Sequence, residues 1–323
     1  SGARTVSAAA ASIAVLAFEN MSPDPSNAYF AEGISEEILN VLAGINGLRV
    51  ASRTSAFSFA GRDTSMPEIG SLLGVRHVLE GSVRKQGREV RLTAQLIDAE
   101  TDTHLWSQTY DRKLIDIFKV QEEIALSISD ALMGTLGVRQ VAVNELTDDL
   151  EAYEMFLEAR TLFYERDTAA MERAIEIFED VVERDPEFAE AWSFLGATLA
   201  ISRGYSQFDD VEMRRRTDAA REAAARALAL DLRQAMAVAV QAQVLDDDQK
   251  LRTLELTDQA ARMAPNDAGL QMWAGNYRLV AGGYLEETLP LLQRAYTLDP
   301  LVGINNGMLG CAYLAAGQRE LGY

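Results

Sequence analysis

The sequence predicts two parts: an α/β domain holding a mixed sheet with an antiparallel meander and packed helices, then an all-α superhelix built from repeated helix pairs. Two observations carry this. Residues 12–137 alternate short β-type runs with amphipathic helical stretches, whereas residues 151–323 place the same small, aromatic and proline residues at recurring offsets. Residues 1–11 read as a flexible lead-in and residues 138–150 as a linker, and the chain as a fragment of a longer protein.

In the first part, SIAVLAF (12–18) is a short buried-strand run and AYFAEGISEEILNVLAGI (28–45) has helical spacing, with Ser35 placed to cap a helix before Glu36 and Glu37. LRVAS (48–52) is a second strand, and MPEIGSLLG (66–74) a short helix stopped by Gly74. RHVLEGSVRKQGREVRLTAQLIDAETDTHLWSQTYDR (76–112) then predicts a three-stranded meander. With Gln86-Gly87 as a two-residue turn, Val83 faces Val90, Gly81 faces Leu92 and Arg84 faces Glu89. One face gathers Leu79, Val83, Val90, Leu92, Ala94 and Leu96, for helices to cover. The other carries Glu80, Ser82, Arg84, Arg91, Thr93 and Gln95, and the third strand is expected to add Trp106, Gln108 and Tyr110 to it. A last helix with Ile117, Val120, Ile124, Ile128 and Leu132 on one stripe closes the domain.

In the second part, Ala174, Phe178 and Pro186 reproduce A-x3-F followed by proline, and Trp192, Leu195 and Gly196 reproduce W-x2-L-G. Gly275 and Gly282 recur as Gly310 and Gly317, with Tyr313 between, and the prolines at 265 and 300 stand one repeat apart. These offsets resemble the tetratricopeptide repeat, in about four units and part of a fifth. Small residues let helices cross closely, and each proline follows a helix end that it cannot continue.

The net charge of -19, acidic in both halves, opposes binding to phosphate backbones. Cys311 has no cysteine to pair with, and His77 and His104 are too few for a histidine-rich metal site. No apolar run approaches the length of a membrane helix. Motifs for phosphate loops, dinucleotides, zinc proteases or nucleophile elbows are absent, so neither a cofactor nor catalysis is expected. Ser82 and Lys85 fit S-x-x-K, but on a strand they point to opposite faces.

Two surfaces remain as candidates. The polar sheet face offers Glu80, Arg84, Arg91 and Gln95, as a carboxylate-guanidinium clamp or a solvated network, together with Trp106 and Tyr110, aromatics that need cover. That cover is a repeat, a second copy in a homodimer, or a small molecule. In a tetratricopeptide array the first helices line a concave groove, which places Ser193, Ala197, Met272, Asn276, Ile304 and Cys311 toward a bound protein or peptide.

Residues 12–135 also resemble the bacterial TolB-like amino-terminal domain, through SIAVLAFENMSPDPSNAYFAEGISEEILNVL, LRVASRTSAFSFAGR, IGSLLGVRHVLEGSVRKQGREVRLTAQLIDAETDTHLWSQTYDR and DIFKVQEEIA. The resemblance implies a regulatory region of a signalling protein whose output domain is a class III nucleotide cyclase or a CadC-like winged helix. A non-enzymatic module that docks a protein segment is the first reading. The alternative is a small-molecule sensor with its pocket between the α/β domain and the first repeats, near Trp106 and Tyr110. Without an upstream membrane helix in view, both cytoplasm and periplasm stay open.

Overall fold

The computed structural model describes residues 11–45, 47–133, 146–205, 207–282, 285–318 and 320. The chain divides into two compact units, residues 1–144 with 297–302 and residues 145–296 with 303–323. The predicted lead-in, apart from residue 11, and the linker positions 138–145 lie outside the described residues.

The first unit is built on one mixed sheet. Strands β1 (Ser12–Val15) and β2 (Glu19–Asn20) both run parallel to β4 (His77–Gln86), and β3 (Arg49–Val50) lies parallel on the other side of β1. β4, β5 (Glu89–Asp98) and β6 (Thr103–Lys113) form the antiparallel meander, giving the order β3-β1-β4-β5-β6. Helix α1 (Ala28–Ala43) leads into β3, α2 (Arg53–Phe57) and α3 (Met66–Leu73) lead into β4, and α4 (Ile117–Met133) follows β6. Alternation along the strands sorts the core. Ala14 and Val78 pack with Ala56 of α2 and Ile69 and Leu73 of α3, while Ile13, Val15, Leu79, Val83 and Leu92 are buried on the opposite face, where α1 and α4 lie. Ile117, Val120, Ile124 and Ile128 of α4 are all buried, as their spacing predicts.

Three expectations are corrected. Ser35 is not a cap, because α1 begins at Ala28; it is buried mid-helix, donating to the Ala31 carbonyl (2.8 Å) and accepting from the Phe18 amide (2.8 Å). That amide sits where β1 has ended and β2 has not begun, so the hydroxyl satisfies a donor that no strand reaches. The hairpin turn is Gly87-Arg88 rather than Gln86-Gly87: Gly87 has φ of 61°, and a turn with glycine first suits the twist of the strands. The register therefore shifts by two, so Val83 faces Leu92, Gly81 faces Ala94 and Arg84 faces Arg91, with each side chain kept on its predicted face.

The third correction concerns β6. Leu92 faces Tyr110, Ala94 faces Gln108 and Leu96 faces Trp106, which puts these three residues on the helix-covered face. A bulge opposite Leu96/Ile97 resets the phase of the strand, and burial of Tyr110 beside α4 fixes it.

The second unit is a run of paired helices: α5 (Leu150–Glu165) with α6 (Thr168–Arg184), α7 (Ala189–Ser202) with α8 (Asp210–Leu230), α9 (Ala235–Gln243) with α10 (Lys250–Met263), and α11 (Ala268–Ala281) with α12 (Leu285–Leu298), then α13 (Gly303–Ala315). Asp149, Asp167, Asp209 and Asp267 cap the amide ends of α5, α6, α8 and α11 through side-chain acceptors. Pro186, Pro265 and Pro300 each stand two residues beyond a helix end. At Gly196 a Cβ would lie 3.2 Å from the Ala220 carbonyl, so glycine suits the close approach of α7 and α8 here. Among the described residues, no helix is long and apolar enough to cross a membrane.

Candidate functional site

The meander face away from α1 and α4 is polar and open. Arg91 grips Asp111 with two bonds (2.6 and 3.1 Å), and Thr93 shares a hydrogen bond with Thr109 (3.2 Å). These groups are exposed, so their pairing orders the face without adding much stability. Glu80 faces Gln95 and is half-buried; burial raises its carboxyl above the ordinary range, aided by Asp102 and opposed by His104. Arg84 faces Arg91 and is exposed, while Arg91 is held by Asp111. Glu80, Arg84 and Arg91 therefore do not assemble as a clamp. Trp106 is half-buried and Tyr110 is 2% exposed, both on the other face, so no aromatic pair sits on the polar one. The three-residue step from Ser82 to Lys85 leaves them on opposite faces; the Lys85 ammonium lies 5.0 Å from the centroid of the Phe30 ring.

His77 places Nδ1 3.1 Å from the Ser12 carbonyl, and burial holds its pKa below the ordinary histidine value. His104 is exposed on β6. Both are strand residues.

In the helical unit the predicted groove residues separate by burial. Ser193 and Ala197 of α7 are fully buried, and Ser193 donates to the Gln234 side chain (2.9 Å), so neither presents a surface to a ligand. Met272 and Asn276 of α11 are half-buried, and Ile304 and Cys311 of α13 are exposed. The offset rule places all six on first helices, but packing around the helix following α7 closes over the first two.

One side chain in an unusual setting, Arg166, carries no mark in the sequence pattern. Arg166 ends α5 in the left-handed region (φ 58°, ψ 32°), a backbone state costing about 1–2 kcal/mol for a residue with a Cβ. Its guanidinium lies 4.0 Å from the Phe163 ring centroid and has no hydrogen-bond acceptor among the described residues. Burial holds its pKa below the ordinary arginine value, while Tyr164, Tyr205 and Asp267 lie close enough to favour the cation. The only sequence signal is negative: a bulky residue stands where glycine commonly ends a helix. By contrast Arg216, which is buried, is fully engaged with Glu172, Glu212 and Ser202 and lies over Phe208, a structural tie between α6, α7 and α8.

Comparison with known proteins adds the following. No protein-family model matches the chain. A curated relative from Rhizobium meliloti (strain 1021), "Putative adenylate cyclase 3", is 40% identical over 186 residues, which are 57% of this chain and 32% of that protein. The chain thus spans about a third of the relative's length. Among solved structures, MamA is 18% identical over 48% of this chain and 83% of its own, with a TM-score of 0.35. YrrB, described as a TPR protein with an unusual peptide-binding site, is 17% identical over 56% of this chain and 88% of its own, with a TM-score of 0.33. Scores of this size do not assign a fold; the helix pairs and their sequence offsets do.

Proposed function

We propose that this chain is a non-enzymatic interaction and regulatory module in which the helix-pair array holds an extended segment of a partner protein. The observation that carries the reading is the group of side chains on first helices, Met272 and Asn276 with Ile304 and Cys311, in an array that also carries an Arg166 guanidinium with no hydrogen-bond acceptor among the described residues. Apolar area covered by a bound segment supplies affinity, and a half-buried cation favours a segment that brings a carboxylate. In this reading the α/β domain is TolB-like and the module regulates a nucleotide cyclase elsewhere in a longer protein, as the name of the 40% identical relative suggests.

Binding of residues 1–323 to a library of peptides with free or amidated carboxyl ends tests the reading. Binding is expected to weaken tenfold or more, about 1.4 kcal/mol, in a Met272→Glu, Ile304→Glu double variant that keeps its helical circular dichroism. Equal binding by the double variant, or turnover of a nucleotide by the pure chain, would overturn it.

A further inference from the structure

The outer edge of the meander carries a second interface, independent of the repeat groove. β6 ends the order β3-β1-β4-β5-β6, so among the described residues one side of it has no strand beside it. Its direction can be read from two facts. The Leu114 amide donates to the Arg88 carbonyl (2.8 Å), and Val90 faces Arg112. Antiparallel alternation then sends the backbone groups of residues 106, 108, 110 and 112 toward β5, and those of Ser107, Thr109, Asp111 and Lys113 outward. The side chains of Ser107, Gln108, Thr109, Asp111, Arg112 and Lys113 are exposed, so nothing among the described residues covers this edge. The bulge before Trp106 sets one end of the straight part, which runs on to Lys113, and Thr109 is the outward-facing residue nearest its midpoint.

We propose that two copies of this chain join β6 to β6 in antiparallel fashion, with the two-fold axis at Thr109. A second copy is the occupant that fits, because the straight segment is complementary to itself about that midpoint. Trp106 of one copy then faces Arg112 of the other, Ser107 faces Asp111, Gln108 faces Tyr110, and Thr109 faces Thr109. The first pair sets a cation beside an indole, the second a hydroxyl donor beside a carboxylate, and no two like charges oppose each other. The Thr93–Thr109 bond in each copy extends to a row of threonines crossing the axis. The strand itself carries one carboxylate and two cations, Asp111 with Arg112 and Lys113, so this edge stands apart from the acidic surplus of the chain. A two-fold contact of this type uses the same patch twice and closes without forming a fibre.

Sedimentation equilibrium of residues 1–323 is expected to give twice the monomer mass. Thr109→Pro removes an outward amide and the hydroxyl shared with Thr93 but leaves the backbone ladder to β5 whole, and Ser107→Asp sets a carboxylate opposite Asp111; each is expected to give the monomer with unchanged circular dichroism. Combining Ser107→Asp with Asp111→Ser restores the complementary pair and is expected to restore the dimer. A wild-type chain that stays monomeric up to about 100-fold above the concentration used for peptide binding, or a dimer that survives both single variants, would overturn the interface. Monomers throughout, including the swapped variant, beside a dimeric wild type would overturn the Thr109 register.

Discussion

Replacing Phe156 by alanine tests whether the first two helix pairs share one aromatic core. The Phe156 ring is fully buried, with centroids 4.8 Å from Phe188, 5.6 Å from Phe194 and 5.9 Å from Phe178, and the Arg160 guanidinium lies 4.9 Å from its own centroid. Losing a buried phenylalanine side chain costs about 3–5 kcal/mol once the remaining cavity is counted. Three ring contacts, each worth about 0.5–1.5 kcal/mol beyond area alone, place this site toward the upper end. A loss of about 4–5 kcal/mol, divided by a urea slope of about 2–3 kcal/mol/M, lowers the unfolding midpoint by about 2 M. Equilibrium unfolding in urea, followed by circular dichroism and by the fluorescence of Trp192, measures the shift. Trp192 Nε1 donates to the Pro186 carbonyl (3.0 Å), so its emission reports on the α6–α7 turn inside this core. Phe156→Leu, which keeps most of the volume, is expected to lose less than about 1.5 kcal/mol. An alanine variant that loses no more than the leucine variant would refute the shared core.

Two further outcomes follow from the first unit. Gly81→Ala places a Cβ against the Thr93 carbonyl and 2.8 Å from the Phe18 ring, so it is expected to cost at least ~2–3 kcal/mol and lower the melting temperature in calorimetry. His77 has its folded pKa held below 6.5 by burial, so the unfolded chain binds the proton more tightly. Stability from this group is present above pH ~6.5 and is lost as pH falls toward the folded pKa. Proton NMR of the imidazole is expected to give a midpoint below 6.5, and His77→Gln is expected to flatten that part of the stability curve; an ordinary midpoint contradicts the burial argument.

Periodicity conveyed the elements well where one rule governed them. The stripe from Ile117 to Ile128 follows from helical spacing, and the two-faced hairpin survives an error of two residues in register because a shift of two preserves each face. Ser35 misled because serine before two glutamates has the chemistry of a cap, while its actual partner, the Phe18 amide, is distant in sequence. Tyr110 misled because one extra residue in β6 reverses the faces, and a bulge leaves no mark in an alternating pattern. On the helices, offsets identified first-helix positions but not the depth to which neighbours bury them, which separates Ser193 from Cys311. Arg166 was illegible for a related reason: only the folded chain shows its guanidinium lying over the Phe163 ring.

The placement of β1 bears on how this domain is made. β1 is interior to the sheet, between β3 and β4, yet it is the first of the sheet's strands in sequence, and the Arg76 amide reaches the Ser12 hydroxyl across 64 residues. As the chain is synthesised, the interior strand emerges first and has no complete neighbourhood until β4 exists. The β4-β5-β6 meander, joined by short turns, can pair by itself as soon as it appears. The strand that joins β3 to the meander therefore gains its full set of partners only after β4 is made, and shortening the chain past Ser12 would remove that join.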